Sequence, residues 1–186
     1  MTTLRTLLAL LLLSQAPFAS ADAAAWGLLK NGGHVAFIRH AITEPGIGDP
    51  EGFVLTDCRT QRNLSAQGRA DAKAIGDAFR SHAIPVAEVL SSRWCRCLDT
   101  ARLAFGKITP SQMLDSTFND PNAPSDEKLR AVRSYAAKHA APGNLVFVTH
   151  AQNIQQLTGV SPSSGEIVVT RFESGKFIPV GRIPAP

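Results

Sequence analysis

Three short β-forming runs end on basic side chains: HVAFI (34–38) leads into Arg39 and His40, EVLSS (88–92) into Arg93 and Arg96, and NLVFVT (144–149) into His150. Glycine, asparagine or proline would be the ordinary way to leave such a run. Arginine presents a planar fork of N–H donors that matches phosphate oxygens, each charge-assisted bond contributing about 1.5–3 kcal/mol. Cations around an imidazole also disfavour its protonation, which leaves a neutral ring nitrogen able to attack phosphorus at ordinary pH. If the runs lie side by side, Arg39, His40, His150 and one or both of Arg93 and Arg96 converge on one pocket, with a histidine as nucleophile rather than base.

Convergence requires that the runs be strands of one sheet. The segments between them read as helices. Ser65 is placed to cap a helix whose Ala70, Ala74, Ile75, Ala78 and Phe79 share a face, and further helices are expected over 94–105, 126–140 and 151–159. SQMLD (111–115) reads as an additional strand, and EIVVTRF and KFIPVGRI as two late strands turning near Ser174 and Gly175. This alternation predicts an α/β fold, a three-layer α/β/α sandwich with a mainly parallel central sheet, and ligands in such folds gather beyond the C-terminal strand edge. Residues 41–63, rich in Gly, Pro and polar groups, form a long loop beside His40, expected to be a substrate-facing rim.

The first 21 residues carry one charge, Arg5, an apolar stretch from Leu7 to Leu13 and an Ala-Ser-Ala sequence at 19–21. This predicts a secretory signal peptide removed near Ala21, leaving residues 22–186 as a single domain in the periplasm or outside the cell, with no membrane span. The formal net charge of +4 contains no Lys/Arg run and few aromatics accompany it, which suits a small anionic ligand and argues against nucleic acid. No obligate protein partner is evident. Cys58 can close a long loop to either Cys95 or Cys97 in an oxidising compartment. If Arg96 is the arginine that faces the pocket, its two cysteine neighbours point about 100° away in opposite senses, so only one can meet Cys58; Cys95, at the loop-proximal helix start, is then the expected partner, with Cys97 a buried thiol. No histidine has finger-like spacing from WCRC, so neither a metal nor another cofactor is expected. His34, His82 and His139 lack a catalytic context, and Trp26 and Trp94 read as packing residues.

The strand-end residues resemble the histidine phosphatase superfamily, which includes the phosphoglycerate mutases. Arg39-His40-Ala41 is similar to that family's Arg-His-Gly, with Ala in place of Gly. NLSAQGRADA (63–72) is similar to its Leu-Ser/Thr-x-x-Gly-x-x-Gln-Ala helix start, with Asp71 where Gln is usual. SSRWCRCLDTA (91–101) fits Ser-Ser-x-x-x-Arg-x-x-x-Thr-Ala, and VTHAQNI (148–154) fits the segment of the second catalytic histidine. The resemblance implies His40 as the phosphorylated nucleophile, Arg39 and Arg96 as phosphate ligands and His150 as the second histidine. It adds Thr43, Asn153 and an auxiliary Arg93 as substrate contacts.

Ala151 stands where one branch of the family has a proton-donating aspartate. Glu44, Asp120 and Glu166 are the candidate acids, Glu166 being counted also among the substrate contacts. The implied activity is hydrolysis of small phosphorylated substrates through a phosphohistidine. A mutase that returns the phosphoryl group to its substrate, and a module that binds a phosphorylated ligand without turnover, are the rival readings.

Overall fold

The computed structural model describes residues 18–118, 125–139 and 141–186. Residues 1–17, and with them most of the expected signal peptide, lie outside that range. Helix α1 (Phe18–Lys30) is followed by β1 (Val35–Arg39), the long loop, α2 (Ala66–Ser81), β2 (Val86–Ser91) and α3 (Cys95–Phe105). A two-residue β3 (Thr109–Pro110), α4 (Ser125–Lys138), β4 (Asn144–Thr149), α5 (Ala151–Thr158), β5 (Ile167–Glu173) and β6 (Lys176–Ile183) complete the chain. Among the described residues no helix is long and apolar enough to cross a membrane.

The six strands form one sheet in the order β3-β2-β4-β1-β5-β6, with β1, β2, β3 and β4 mutually parallel and β5 antiparallel to both its neighbours. Central strands of such a sheet are covered on both faces and so must be apolar throughout. All six residues of β4 are accordingly buried, as are Val35 to Ile38 of β1. The period-two alternation of the strands then sorts their side chains between two layers. Ala36, Ile38, Val146 and Val148 pack with Trp26 and Leu29 of α1, Ile75 and Phe79 of α2 and Ala101 of α3. Phe37, Leu145 and Phe147 pack with Leu129 and Val132 of α4 and Ile154 and Leu157 of α5.

Ser65 caps α2 as its sequence suggests, its side chain accepting from Gly68 N. SQMLD is not a strand. The edge strand ends at Pro110, Ser111 N still donates to Ser91 O at 2.7 Å, and Gln112–Leu114 then turn as a short 3₁₀ helix that buries Leu114. The cysteines pair as Cys58–Cys95, across a Cα separation of 5.7 Å, and Cys97 is a buried free thiol.

Helices α2 and α3 meet backbone to backbone. A Cβ at Gly76 would lie 2.2 Å from the Ala104 carbonyl oxygen. Gly76→Ala should therefore destabilise the protein by about 1–3 kcal/mol, although alanine is the better helix former by about 1 kcal/mol in an open position. Gly27→Ala in α1, where the added methyl meets nothing within 4 Å, should be neutral or stabilising. Thermal unfolding followed by circular dichroism checks both, and a Gly76→Ala protein as stable as the parent would refute the close approach.

Candidate active site

Register places the histidines together. Arg39 lies opposite Thr149 and Ser91 opposite Val148, so the residues leaving β1, β2 and β4 share one edge. The ladder continues one step beyond the strands, His40 N donating to Thr149 O at 2.9 Å and Ser92 N to Val148 O at 2.9 Å. The two imidazole centroids stand 5.5 Å apart. Arg39, His40, Arg96 and His150 line one cleft of about 730 Å³, together with Asp49, Arg62 and Trp94. Ile47, Phe53 and Phe118, all exposed, stand at its mouth.

His40 Nδ1 is 2.9 Å from the Ala41 carbonyl oxygen, an acceptor, so the ring proton sits on Nδ1 and the Nε2 lone pair is free. Burial brings its pKa down to about 3, opposed by the Ala41 bond and aided by the charges of Arg96, Arg39 and Arg62. His150 is held well below its ordinary value by burial and by His40 and Arg96 beside it. Its Nε2 is 2.9 Å from Ser92 Oγ, and the indole of Trp94 packs edge-on against the ring at 5.6 Å.

The two strand-end arginines retain unspent donors. Arg39 Nη1 donates to Pro162 O at 3.0 Å and Arg96 Nη1 to Asp49 Oδ1 at 2.7 Å, yet Nε of each is buried and, among the described residues, without a partner. A buried N–H with no acceptor costs about 1–3 kcal/mol. The N-termini of α3 and α5 open on the same edge without side-chain caps, which adds partial positive charge. Among the described residues no cluster of three or more His, Cys, Asp or Glu is placed to hold a metal ion.

The expected contacts Thr43, Arg93, Asn153 and Glu166 do not line the cleft. Arg93 turns to the buried Asp115, donating from its backbone N at 2.9 Å and from Nε at 2.8 Å. Asn153 is spent on the chain beyond β3, its amide donating to Asp115 O at 2.9 Å and accepting from Thr117 N at 3.2 Å. Glu166 is paired with Arg182 and accepts from Ser163 N. Thr43 Oγ1 accepts from Arg62 Nη1 at 2.7 Å and so shapes the loop. Of the candidate acids, Glu44 is exposed outside the cleft and Asp120 lies outside the described residues.

Two residues of the long loop that the sequence reading left unnamed, Asp49 and Arg62, do reach the cleft. Asp49 Oδ1 accepts from Arg96 and from Arg62 N at 3.0 Å, and its Oδ2 from Trp94 Nε1 at 2.9 Å. Burial pushes this carboxyl up, but those bonds and the Arg96 charge outweigh it and hold it below the usual carboxylate range. Gly-Asp-Pro within a long Gly/Pro loop was the available signal for Asp49.

An α/β sandwich with a histidine–arginine anion cleft at the C-terminal edge of its parallel strands is the class that fold and site define. Residues 35–123 match the model of the histidine phosphatase superfamily (branch 1). The product of the open reading frame Rv3214 from Mycobacterium tuberculosis has a similar structure at 16% identity and a TM-score of 0.57, with 82% of this chain and 97% of that one covered. The protein histidine phosphatase SixA complexed with tungstate is similar at 13% identity and a TM-score of 0.57, over 81% and 96% of the two chains. A mutant phosphoserine phosphatase from Entamoeba histolytica, in complex with phosphoserine, is similar at 16% identity and a TM-score of 0.55, over 80% and 95%. At these identities the likeness bears on the fold. No curated protein matches the chain by sequence.

Holding His40 neutral makes stability depend on pH. The unfolded imidazole takes up a proton as pH falls through about 6.5, whereas the folded one does not until about 3. Stability present above pH 6.5 is therefore lost across that window, at up to about 1.4 kcal/mol per pH unit for each such histidine. His40→Gln should make the slope shallower by about that amount between pH 6 and 4 in urea titrations. Equal slopes would show that the folded ring titrates normally.

Proposed function

We propose that the chain is an exported phosphomonoesterase that works through a phosphohistidine on His40. The observation that carries this reading is a pair of arginines, Arg39 and Arg96, lining the same cleft as a neutral imidazole whose Nε2 is unoccupied. His40 Nε2 attacks phosphorus in line, the P–N bond forms and the ester P–O bond breaks. Arg39 and Arg96 meet the charged equatorial oxygens. When Ser92 donates to His150 Nε2, the proton of that neutral ring sits on Nδ1 and is available to a phosphate oxygen as well. Water then attacks phosphorus, the P–N bond breaks and inorganic phosphate leaves. The tungstate held by the SixA neighbour, an oxyanion of similar shape, accords with this use of the fold.

The organic part of the ester leaves the cleft between Ile47, Phe53 and Phe118, which favours an apolar or aromatic group there. Export is supported by the Cys58–Cys95 bridge, which persists in oxidising compartments. Removal of residues 1–21 would leave Ala25, Trp26 and Leu29 of α1, which pack in the core.

Rapid quenching with labelled p-nitrophenyl phosphate should leave acid-labile, base-stable phosphate on His40, and none on a His40→Ala protein. Full turnover by a folded His40→Ala variant would end the assignment. Arg96→Ala should lower kcat/KM by tenfold to over a hundredfold, whereas Arg93→Ala, which removes a partner of Asp115 outside the cleft, should cost much less; equal losses would contradict the geometry. Phenylphosphonate should inhibit more tightly than methylphosphonate, and the reverse order would remove the apolar exit.

A further inference from the structure

We propose that Asp49 is the general acid that protonates the departing oxygen, an inference that rests on the phosphatase reading above. The cleft is lined by two carboxylates among the described residues, Asp49 and Glu51. Glu51 is exposed, while the Asp49 side chain retains 8% of its exposure. The alternatives are out of reach or spent: residue 151 is alanine, Glu44 faces solvent outside the cleft, and Glu166 is committed to Arg182 and Ser163 N.

Asp49 and the phosphoryl group share one guanidinium. Arg96 gives Nη1 to Asp49 at 2.7 Å and keeps its buried Nε unpartnered. A phosphate held by the same guanidinium from the cleft therefore brings its oxygens within a few ångströms of the carboxylate. Swinging away would relieve the repulsion, but the loop is fastened. Arg62 donates to Thr43 Oγ1 at 2.7 Å, Gly46 O at 2.9 Å and Gly48 O at 2.8 Å, its backbone N holds Asp49 itself, and Cys58 is bonded to Cys95. Two anions confined on one arginine bind a proton between them, as like charges raise each other's affinity for protons. In the free protein Asp49 is ionised, and substrate binding supplies the condition that protonates it.

Oδ2, whose single partner is Trp94 Nε1, is the oxygen with room for that proton. As the His40 Nε2–P bond forms and the ester P–O bond breaks, the Oδ2 proton passes to the ester oxygen and a neutral alcohol leaves. In the second step the Asp49 carboxylate takes a proton from the attacking water, the P–N bond breaks, and Asp49 is again protonated beside the product phosphate.

Leaving groups discriminate an acid from a residue that only positions Arg96. p-Nitrophenolate departs without a proton, whereas ethoxide does not. Asp49→Asn keeps acceptor atoms for Arg96 and Trp94 but has no acidic proton. Its kcat/KM on ethyl phosphate should fall 10²- to 10⁴-fold, at least tenfold more than on p-nitrophenyl phosphate, and Asp49→Glu should recover part of the ethyl phosphate activity. Equal losses on the two esters would assign Asp49 to positioning and overturn the proposal, as would no loss on either. A parent protein that forms no phosphohistidine from p-nitrophenyl phosphate would instead refute the phosphatase reading, and the proposal with it.

Discussion

The backbone hydrogen bond from His40 N to Thr149 O is the contact on which the site depends. It extends the parallel pairing of β1 and β4 one residue beyond both strands and fixes the two histidines as neighbours. A slip of one residue would turn one of them to the other face, because strand side chains alternate. The apolar composition of both strands enforces the register: Ala36 and Ile38 must meet one helical layer and Phe37 the other. The placement of the two histidines is thus a by-product of core packing, with Ser92 N to Val148 O repeating the device on the other side of β4.

Four positive or potentially positive groups at one strand edge would repel one another if all were charged. The protein resolves this by burial, which neutralises both imidazoles, and by a single carboxylate, Asp49, which meets Arg96. Asp115 does the same one layer behind, where it takes Arg93 out of the cleft. The remaining positive potential is shared by Arg39, Arg62 and the Arg96–Asp49 pair, next to the free imidazole nitrogen. An anion that enters replaces water with preorganised donors.

The strands, helices and strand-end residues could be read from the sequence because each rests on a local pattern. An unbroken apolar run gives a buried strand, and a capping Ser65 ahead of an apolar stripe gives α2. Where the outcome depends on distant partners, the reading went astray. Arg93 and Arg96 are both arginines at the start of one helix, and only the position of Asp115, 22 residues beyond Arg93, decides which turns away. Asn153 and Glu166 are polar residues near the right edge whose hydrogen bonds are spent on the Asp115 segment and on Arg182. SQMLD has strand-like composition, but after Ser111 the chain turns into a 3₁₀ helix that buries Leu114. Asp49 and Arg62 lie in a loop without periodicity, and their reach into the cleft follows from a cross-link and a set of carbonyl bonds that no local pattern encodes.

The spare thiol makes the pairing depend on when α3 packs. Cys97 stands two residues from Cys95 on α3, so while that helix is unpacked either sulfur is open to capture by Cys58. Once α3 settles against the sheet, Cys97 is fully covered, burial raises its pKa to about 12, and thiolate attack on the finished bridge stops. If the hydrophobic layer closes before the loop is locked, Cys95 alone remains open to Cys58. A chain oxidised too early would be trapped with Cys97 in the bridge, its helix start rotated and Arg96 directed away from the cleft. Rescue then falls to thiol exchange, through an external dithiol or a shuffling catalyst, and the yield of competent protein is set by the race between collapse and oxidation as well as by the stability of the final fold.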